Sequence, residues 1–252
     1  MKFIGCMSYL LILCSFSILY SQTVFVVHRS KTFGNKISQL EELIITNTVN
    51  LYNIKNNNEL KLSFKNHPSF VSIITALNNV EKSDSIHVVM NSLTITKKRQ
   101  DSFLFSSAYL PVKNVLIYTK EREFNSKLAR RIGFIKHSIQ EDLIKLNPHE
   151  TDLYIGFDSY RKMESGLLEK KIDFMITDNV DTWNNERLKI YKVLPEQIGS
   201  GYGIMFLKAS VYKDKLEKYF RYFLKSPSFK KEVYNLYGKE IADYFVKELR
   251  LM

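Results

Sequence analysis

The chain has 252 residues, of which 45% are hydrophobic and 25% are charged, so its composition is that of a globular protein and excludes extensive disorder. A formal net charge of +11 raises the question of a nucleic-acid partner. The basic residues, however, are spread along the chain and form no compact tract, so we expect no binding to nucleic acid.

The beginning of the chain has the pattern of a secretory signal peptide. One lysine, an apolar segment over 3–19 and the small residue Ser21 follow one another, and no stop-transfer cluster of charges is present. The segment is also short for a membrane span. We therefore predict a signal peptide over 1–21, cleavage after Ser21 and a periplasmic protein. Both cysteines, Cys6 and Cys14, lie inside this segment, so the mature chain forms no disulfide.

Strands and helices alternate through the next part of the chain. Apolar patterns predict strands over 23–27, 60–64 and 85–90, with amphipathic helices from Lys36 and over 70–77. This alternation predicts a parallel α/β lobe. Ligands in such sheets bind beyond the carboxyl ends of the strands, so the residues after the third strand lie at a binding edge.

The segment after this third strand carries three hydroxyl groups and one arginine. Ser92, Thr94 and Thr96 fall where a strand ends and a helix begins, and Arg99 follows them. Backbone N–H groups at a helix start, hydroxyl donors and a guanidinium together suit a carboxylate. A capped helix start with a surface arginine is the alternative interpretation.

The run 92–99, followed by Phe105, Ser106 and Tyr109, resembles the signature of a known family. It is similar to the bacterial periplasmic solute-binding proteins of family 3, the polar amino acid receptors of ABC importers. The resemblance implies an α/β, two-lobed type II periplasmic-binding-protein fold with a ligand cleft between the lobes.

The resemblance also implies which residues of the first lobe bind the ligand. Ser92, Thr94 and Arg99 correspond to the groups that grip the α-carboxylate. Phe70 corresponds to an aromatic residue that lies against the ligand side chain, and a core phenylalanine at a helix start is the alternative. The loop at 28–34 departs from the family pattern because it is short and lacks proline, and Phe33 is the candidate for its missing aromatic residue.

The second half of the chain again alternates between strands and helices. Strands are predicted over 115–118, 131–135, 152–157, 172–178, 188–194 and 203–207, and helices from Ser138 and over 159–171, 211–224 and 229–249.

Two residues of this half complete the implied site. The turn Ser138–Glu141 predicts a capping box and resembles the family's turn that faces the carboxylate, with His137 in its glycine position. An ordinary N-cap is the alternative for Ser138. Asp178 ends an apolar strand, where an unpaired charge is costly, and by resemblance it pairs with the ligand's α-ammonium. Capping of the following helix is the alternative for Asp178.

Patterns typical of enzymes are scarce. The five histidines show no metal-ligand spacing, and the sequence contains neither a phosphate-binding loop nor a nucleophile elbow. We interpret His87, on an apolar strand, as a core residue. We therefore predict no metal, no cofactor and no catalytic residue.

We predict two lobes, one formed by 22–112 with 204–252 and the other by 113–203. They trap a small carboxylate-bearing ligand, an amino acid by resemblance, through hinge closure, for ABC-type uptake or sensing. We expect a monomer whose further partner is an ABC transporter permease in the membrane. Two alternatives stay open: an enzyme similar to the periplasmic cyclohexadienyl dehydratases of this fold, and a degenerate sensor or scaffold without a small ligand.

Overall fold

The computed structural model describes residues 23–30, 36–58, 60–80, 85–121, 130–146, 148–183, 185–195 and 197–251. The side chains of Phe70, Arg250 and Leu251 are not among the described parts. The predicted signal peptide and Phe33 lie outside the described residues. None of the described helices is both long enough and apolar enough to cross a membrane.

Ten strands and eight α-helices lie within these residues. The strands are β1 (Val24–Ser30), β2 (Lys61–His67), β3 (Ile86–Val89), β4 (Phe103–Phe105), β5 (Asn114–Thr119), β6 (Arg131–Ile135), β7 (Leu153–Phe157), β8 (Phe174–Asp178), β9 (Leu188–Val193) and β10 (Met205–Leu207). The helices are α1 (Lys36–Asn56), α2 (Phe70–Asn78), α3 (Lys97–Gln100), α4 (Ile139–Leu146), α5 (Tyr160–Leu168), α6 (Tyr212–Leu224), α7 (Pro227–Tyr237) and α8 (Lys239–Leu251). A 3₁₀ helix, Asn179–Trp183, follows β8.

The first sheet has the strand order β2-β1-β3-β10-β4. Its first three strands are parallel, and β10 pairs antiparallel with both β3 and β4. Phe25 of β1 belongs to the same buried cluster as Leu40 and Ile44 of α1, and apolar residues at such helical spacing are what hold α1 against the sheet.

The second sheet has the strand order β7-β6-β8-β5-β9. Here β6 lies parallel between β7 and β8, and β5 lies antiparallel between β8 and β9. Successive side chains of β5 lie on opposite faces of the sheet. Val115 and Ile117 belong to one buried apolar cluster, and Leu116 belongs to another. The predicted α/β class is therefore confirmed.

The chain passes between the two sheets twice, once between β4 and β5 and once between β9 and β10. Strands β1–β4 and β10 form one sheet, and the continuous segment β5–β9 forms the other. The exact lobe boundaries, 112/113 and 203/204, stay a prediction.

The C-terminal part differs from the sequence-based expectation. A single helix over 229–249 is wrong, because α7 ends at Tyr237 and α8 begins at Lys239. Between them Gly238 has φ +87°, a left-handed conformation that favours glycine, and its N–H donates to Tyr234 O at 2.8 Å. Helix α7 also starts earlier than predicted, because the Ser226 hydroxyl accepts from Phe229 N and Pro227 occupies the first turn.

Trp183 joins the second half of the chain to these C-terminal helices. Its ring lies 5.8 Å from Tyr237 of α7, and 5.7 and 5.5 Å from Tyr244 and Phe245 of α8. Trp183 is the only tryptophan of the chain. Its surroundings therefore depend on how the segment after β8 sits against α7 and α8.

Candidate functional site

The segment after β3 turns sharply at Ser92, whose φ of +50° lies in the left-handed region. This turn directs Ser92 toward Glu41 of α1: the Ser92 N–H donates to Glu41 Oε1 at 2.6 Å and the Ser92 hydroxyl lies 3.3 Å from the same oxygen. The Tyr109 hydroxyl donates to this carboxylate as well. Ser92, predicted to grip the ligand carboxylate, thus donates to a carboxylate of the protein itself.

Glu41 is a site residue that the sequence analysis missed. Its residue surface is only 5% exposed, and burial raises its pKa to about 7, while the hydrogen bonds from Tyr109 and Ser92 act in the opposite direction. One signal could have found it: Glu41 lies four positions after Ile37 and three before Ile44, on the apolar face of α1.

Thr94 and Arg99 are brought together, but not through the hydroxyl of Thr94. Arg99 Nη1 donates to the backbone carbonyl of Thr94 at 2.7 Å. The hydroxyl of Thr96 accepts from Arg99 N at 3.2 Å and thereby caps the short helix α3. The local sequence therefore folds so that α3 presents Arg99 beside the turn.

A glycine-rich return segment covers this turn. Ile95 N donates to Gly201 O at 2.8 Å, and Gly203 N donates to Leu93 O at 3.0 Å. Thr94 is 3% exposed and forms a β-bridge with Tyr202. The turn that carries the predicted carboxylate site is therefore packed directly against the second crossover of the chain.

Arg99 is partly buried, and acidic residues from the second-sheet half of the chain lie near it. Burial lowers the pKa of Arg99, while Asp178, Asp142 and Tyr202 act to raise it. Asp142 belongs to α4 and Asp178 to β8, so both acids come from the second-sheet half of the chain. The arrangement places one cation of the first half within electrostatic reach of two acids of the second.

Asp178 is buried at the end of β8 and accepts hydrogen bonds from both crossover segments. Asn114 Nδ2 donates to its Oδ1 at 2.8 Å and Tyr202 OH donates to its Oδ2 at 2.6 Å. Burial raises the pKa of Asp178, and Tyr202, Asn114 and Arg99 act to lower it. The carboxylate therefore has two neutral donors within the protein, which the sequence analysis did not foresee.

Asn114 connects further groups of the same region. Its Oδ1 accepts from Ile198 N at 3.0 Å, and its own backbone N–H donates to Gln197 Oε1 at 2.7 Å. Asn114 is 2% exposed. One amide side chain thus ties the start of β5 to the segment that returns to the first sheet.

Ser138 is engaged within its own turn. Its hydroxyl donates to Ile135 O at 2.6 Å and accepts from Gln140 N at 3.2 Å. The predicted capping box forms differently, because the Glu141 carboxylate accepts from His137 N at 2.7 Å instead of from Ser138 N. His137, in the predicted glycine position, has a left-handed φ of +59°. The hydrogen bonds given for Ser138 join it to residues of the same turn.

Phe70 is the first residue of α2, which the Ser69 hydroxyl caps by accepting from Ser72 N. Its side chain lies outside the described parts, so its contact with a ligand stays a prediction.

Three histidines form a hydrogen-bonded row across β2, β1 and β3. His28 Nδ1 lies 2.8 Å from His67 Nε2, and His28 Nε2 lies 2.9 Å from His87 Nδ1. Burial, with His87, His67 and Lys65 nearby, lowers the pKa of His28 to about 4. Both ring nitrogens of His28 are therefore hydrogen-bonded to other histidines. Among the described residues, no group of three His, Cys, Asp or Glu residues could hold a metal ion.

Solved structures of amino acid binding proteins share this architecture. An amino acid ABC transporter substrate-binding protein of Streptococcus pneumoniae, bound to L-arginine, is 17% identical with a TM-score of 0.63, over 91% of this chain and 97% of its own. A Salmonella typhimurium periplasmic binding protein with high arginine specificity is 16% identical with a TM-score of 0.64, over 85% of this chain and 99% of its own.

A receptor core has the same fold. The GluR0 ligand-binding core of Nostoc punctiforme, in complex with L-glutamate, is 12% identical with a TM-score of 0.63, over 85% of this chain and 99% of its own. Such low identities establish the fold alone. The predicted two-lobed, type II periplasmic-binding-protein fold is thereby confirmed.

The family is established by the sequence. A search of curated proteins gives no match. The family model of the bacterial extracellular solute-binding proteins, family 3, matches residues 50–237, well over half of the chain. The match includes β3, the turn at Ser92, Arg99 and Asp178. This chain therefore belongs to the bacterial extracellular solute-binding proteins, family 3.

Proposed function

We propose that this protein is exported to the periplasm and traps a small carboxylate-bearing ligand, an amino acid, between its two lobes. The observation that carries the proposal is the placement of Arg99, in the first-sheet half, and Asp178, at the end of β8 in the second-sheet half, close enough for each to act on the pKa of the other. An amino acid carries a carboxylate and an ammonium, which match a guanidinium and a carboxylate respectively. The lobes of this proposal are 22–112 with 204–252 and 113–203.

The proposed mechanism is closure of the cleft on the ligand. Arg99, with Ser92 and Thr94 in the adjoining turn, holds the ligand carboxylate, and Asp178 receives the ammonium alongside Asn114 and Tyr202. A ligand that touches both halves binds the closed state more tightly than the open state, and this difference shifts the population toward closure. Phe70 and Ser138 complete the proposed contacts.

The charges near Arg99 favour a ligand with a basic or neutral side chain. Asp142 and Asp178 both act to raise the pKa of Arg99. Burial raises the pKa of Asp181 to about 7, and repulsion from the nearby carboxylate of Asp178 acts in the same direction. An acidic side chain would add to this repulsion. Two of the structural relatives, the Streptococcus pneumoniae and Salmonella typhimurium proteins, are arginine binders, which is consistent with this ligand class.

The biological role that we propose is ABC-type uptake or sensing by a monomer. Its partner in uptake is a membrane permease of an ABC transporter. The Streptococcus pneumoniae relative is itself an amino acid ABC transporter substrate-binding protein, which supports this assignment.

A thermal-shift screen of the protein against single amino acids tests the proposal. A ligand at about 100 times its dissociation constant adds about 2.7 kcal/mol to the free energy of unfolding. We expect a shift with arginine, lysine or glutamine, and none with agmatine, which is arginine without its carboxylate. The emission of Trp183 reports closure in the same samples, because its ring contacts α7 and α8.

Two variants make the screen specific. Arg99→Ala should abolish the shift. Arg187→Ala should keep it, because Arg187 is exposed and precedes Leu188, which pairs with Thr119 at the end of β5 opposite Asn114. Equal thermal shifts in both variants would show that Arg99 does not bind the ligand. A screen in which no amino acid or small carboxylate shifts the wild type would refute the proposed function.

A sensor or scaffold without a small ligand is the second candidate function. One observation favours it: the N–H and hydroxyl of Ser92 already contact the carboxylate of Glu41. If the protein binds no small ligand, then Glu41→Gln should, like the wild type, bind no amino acid in the same screen. Binding gained by this variant would instead identify Glu41 as a competitor for Ser92.

A further inference from the structure

A second concave site lies between α1 and the α6–α7 turn. This groove, which we call the basic groove, has a volume of about 770 Å³ and is lined by Leu51 and Lys55 of α1 and by residues from Lys218 to Pro227. The volume falls within the range of specific binding sites. None of the residues discussed for the cleft lines it, so the basic groove is separate from the proposed amino acid site.

The charges that line the basic groove are all positive. They come from Lys55, Lys218, Arg221 and Lys225, and no acidic residue lines the groove. Arg221 pairs with Glu217 at 2.8 Å. Among the ion pairs between described residues, the three lysines take no part. The groove is therefore complementary to a negatively charged partner.

The spacing of these cations selects an extended partner. Lys218, Arg221 and Lys225 are three, four and seven positions apart, so they share one face of α6 and its end. At 1.5 Å of rise per residue, Lys218 and Lys225 are about 10 Å apart along the axis. A single phosphate or carboxylate does not bridge that length. An extended peptide, which advances about 3.3 Å per residue, places acidic side chains at this spacing.

The groove also offers apolar and aromatic surface. Tyr219 and Tyr222 line it together with Leu51, and Tyr222 is 68% exposed. Tyrosine and arginine are the residues that most often contribute binding energy at protein interfaces. An apolar side chain of the partner would cover this surface while flanking acids meet the lysines.

Helix stability accounts for only part of the cluster. Cations near helix C-termini are favourable, which explains Lys55 in the last turn of α1 and Lys225 at the end of α6. Lys218 lies in the middle of α6 and gains nothing from this effect.

We propose that the basic groove docks an acidic, extended segment of a partner protein that carries an apolar side chain between its acidic residues. This function goes beyond ligand binding in the cleft. The lysines provide long-range attraction, and Tyr219, Tyr222 and Leu51 provide the apolar contact.

Fluorescence anisotropy with a labelled synthetic peptide tests the proposal on the whole protein. The probe is a short peptide of glutamates around a central phenylalanine, and we expect saturable binding that weakens as salt is added. The double variant Lys218→Glu/Lys225→Glu should weaken binding by at least about tenfold. Lys189→Glu/Lys192→Glu, an equal change of charge at exposed positions of β9, should leave binding unchanged.

Each remaining outcome overturns the proposal. Equal losses in both double variants would mean that the peptide responds only to the total charge of the protein. Equal binding of a peptide without phenylalanine would show that the proposed apolar contact does not contribute to the affinity. Tighter binding of inorganic tripolyphosphate than of the peptide would identify a small polyanion as the occupant. Absence of peptide binding to the wild type would reject the groove as a docking site.

Discussion

Glu41 shows how a single buried acid can set the pH dependence of stability. Burial raises its pKa from 4.5 to about 7, so the folded protein holds this proton more tightly than the unfolded chain does. The stabilisation is present below about pH 4.5 and is lost as the pH rises through 7. At 1.36 kcal/mol per pKa unit, the loss is about 3 kcal/mol.

Glu41→Gln should remove this contribution. We expect the difference in unfolding free energy between wild type and variant to change by about 3 kcal/mol from about pH 4.5 to about pH 8, with the wild type relatively more stable in acid. Urea denaturation at both ends of that range measures it. Glu42→Gln removes a charge from the neighbouring exposed position and controls for net charge. A difference that does not vary with pH would contradict the prediction.

The sequence indicates Arg99 and Asp178 as candidate site residues, but it does not predict the protein groups that contact them. Arg99 and Asp178 could be identified because each follows an apolar strand and fits a local motif. Tyr109 lies 68 positions from Glu41, and Asn114 lies 64 positions from Asp178. Such contacts arise only when distant segments pack together, and no local pattern of residues encodes them.

At the scale of the elements, the histidine row links the first three strands. Burial lowers the pKa of His28 from 6.5 to about 4, and the groups that face it are His67, His87 and Lys65. The unfolded chain therefore binds this proton at a higher pH than the folded protein. The corresponding stabilisation is present above about pH 6.5 and is lost as the pH falls through 4.

His28→Asn should remove this acid sensitivity. Between about pH 7 and about pH 4 the wild type should lose about 3 kcal/mol relative to the variant, which is opposite in sign to the effect of Glu41. The measurement is the slope of the unfolding free energy against pH. This slope can be compared with that of the wild type even if the variant is less stable at every pH. His149→Asn, at an exposed position, is the matched control. Parallel slopes for wild type and His28→Asn would show that His28 does not titrate differently on folding.

The glycines of the return segment hold the turn at Thr94. Gly199 has φ +91°, and a Cβ there would lie 2.4 Å from Ile95 O. Gly238 has a similar φ of +87° with nothing within 4 Å. Backbone strain alone costs about 1–3 kcal/mol for an alanine at such a positive φ.

Gly199→Ala should therefore be more destabilising than Gly238→Ala. We expect the second variant to show the strain alone and the first to lose at least about 1 kcal/mol more because of the collision with the backbone of Ile95. Urea denaturation of the two variants measures the difference. Equal losses would mean that the return segment can move away from the turn without cost.

Most elements were predictable because their apolar periodicity is strong, as in α1 and β8. The break between α7 and α8 was not, because both helices carry apolar faces that continue the same pattern across Gly238. Only the left-handed conformation of this glycine separates them. The early start of α7 was equally hidden, since it depends on the Ser226 cap and not on apolar residues.

At the scale of the whole molecule, Asp178 connects the two crossovers. It accepts from Asn114, at the start of β5, and from Tyr202, on the return to the first sheet. Tyr202→Phe leaves one buried carboxylate oxygen without this donor, which should cost about 1–3 kcal/mol of unfolding free energy. Tyr222→Phe, at a position that is 68% exposed, should change stability by less than about 0.5 kcal/mol.

Chemical denaturation of both tyrosine variants checks this prediction. Equal stability of Tyr202→Phe and wild type would show that another group satisfies the carboxylate. The α/β class and the position of Asp178 at the end of a strand were predicted from the sequence. The contact between Asp178 and the crossovers was not, because it depends on the relative placement of the two sheets.

Strand β10 lies between β3 and β4, although Met205 follows its partner Phe105 by 100 positions. During synthesis the second sheet can pair as soon as β9 leaves the ribosome, because β5–β9 are continuous in the chain. The first sheet lacks an inner strand until about four fifths of the polypeptide has been made. The topology of one short strand thus makes the first sheet the later of the two to be completed.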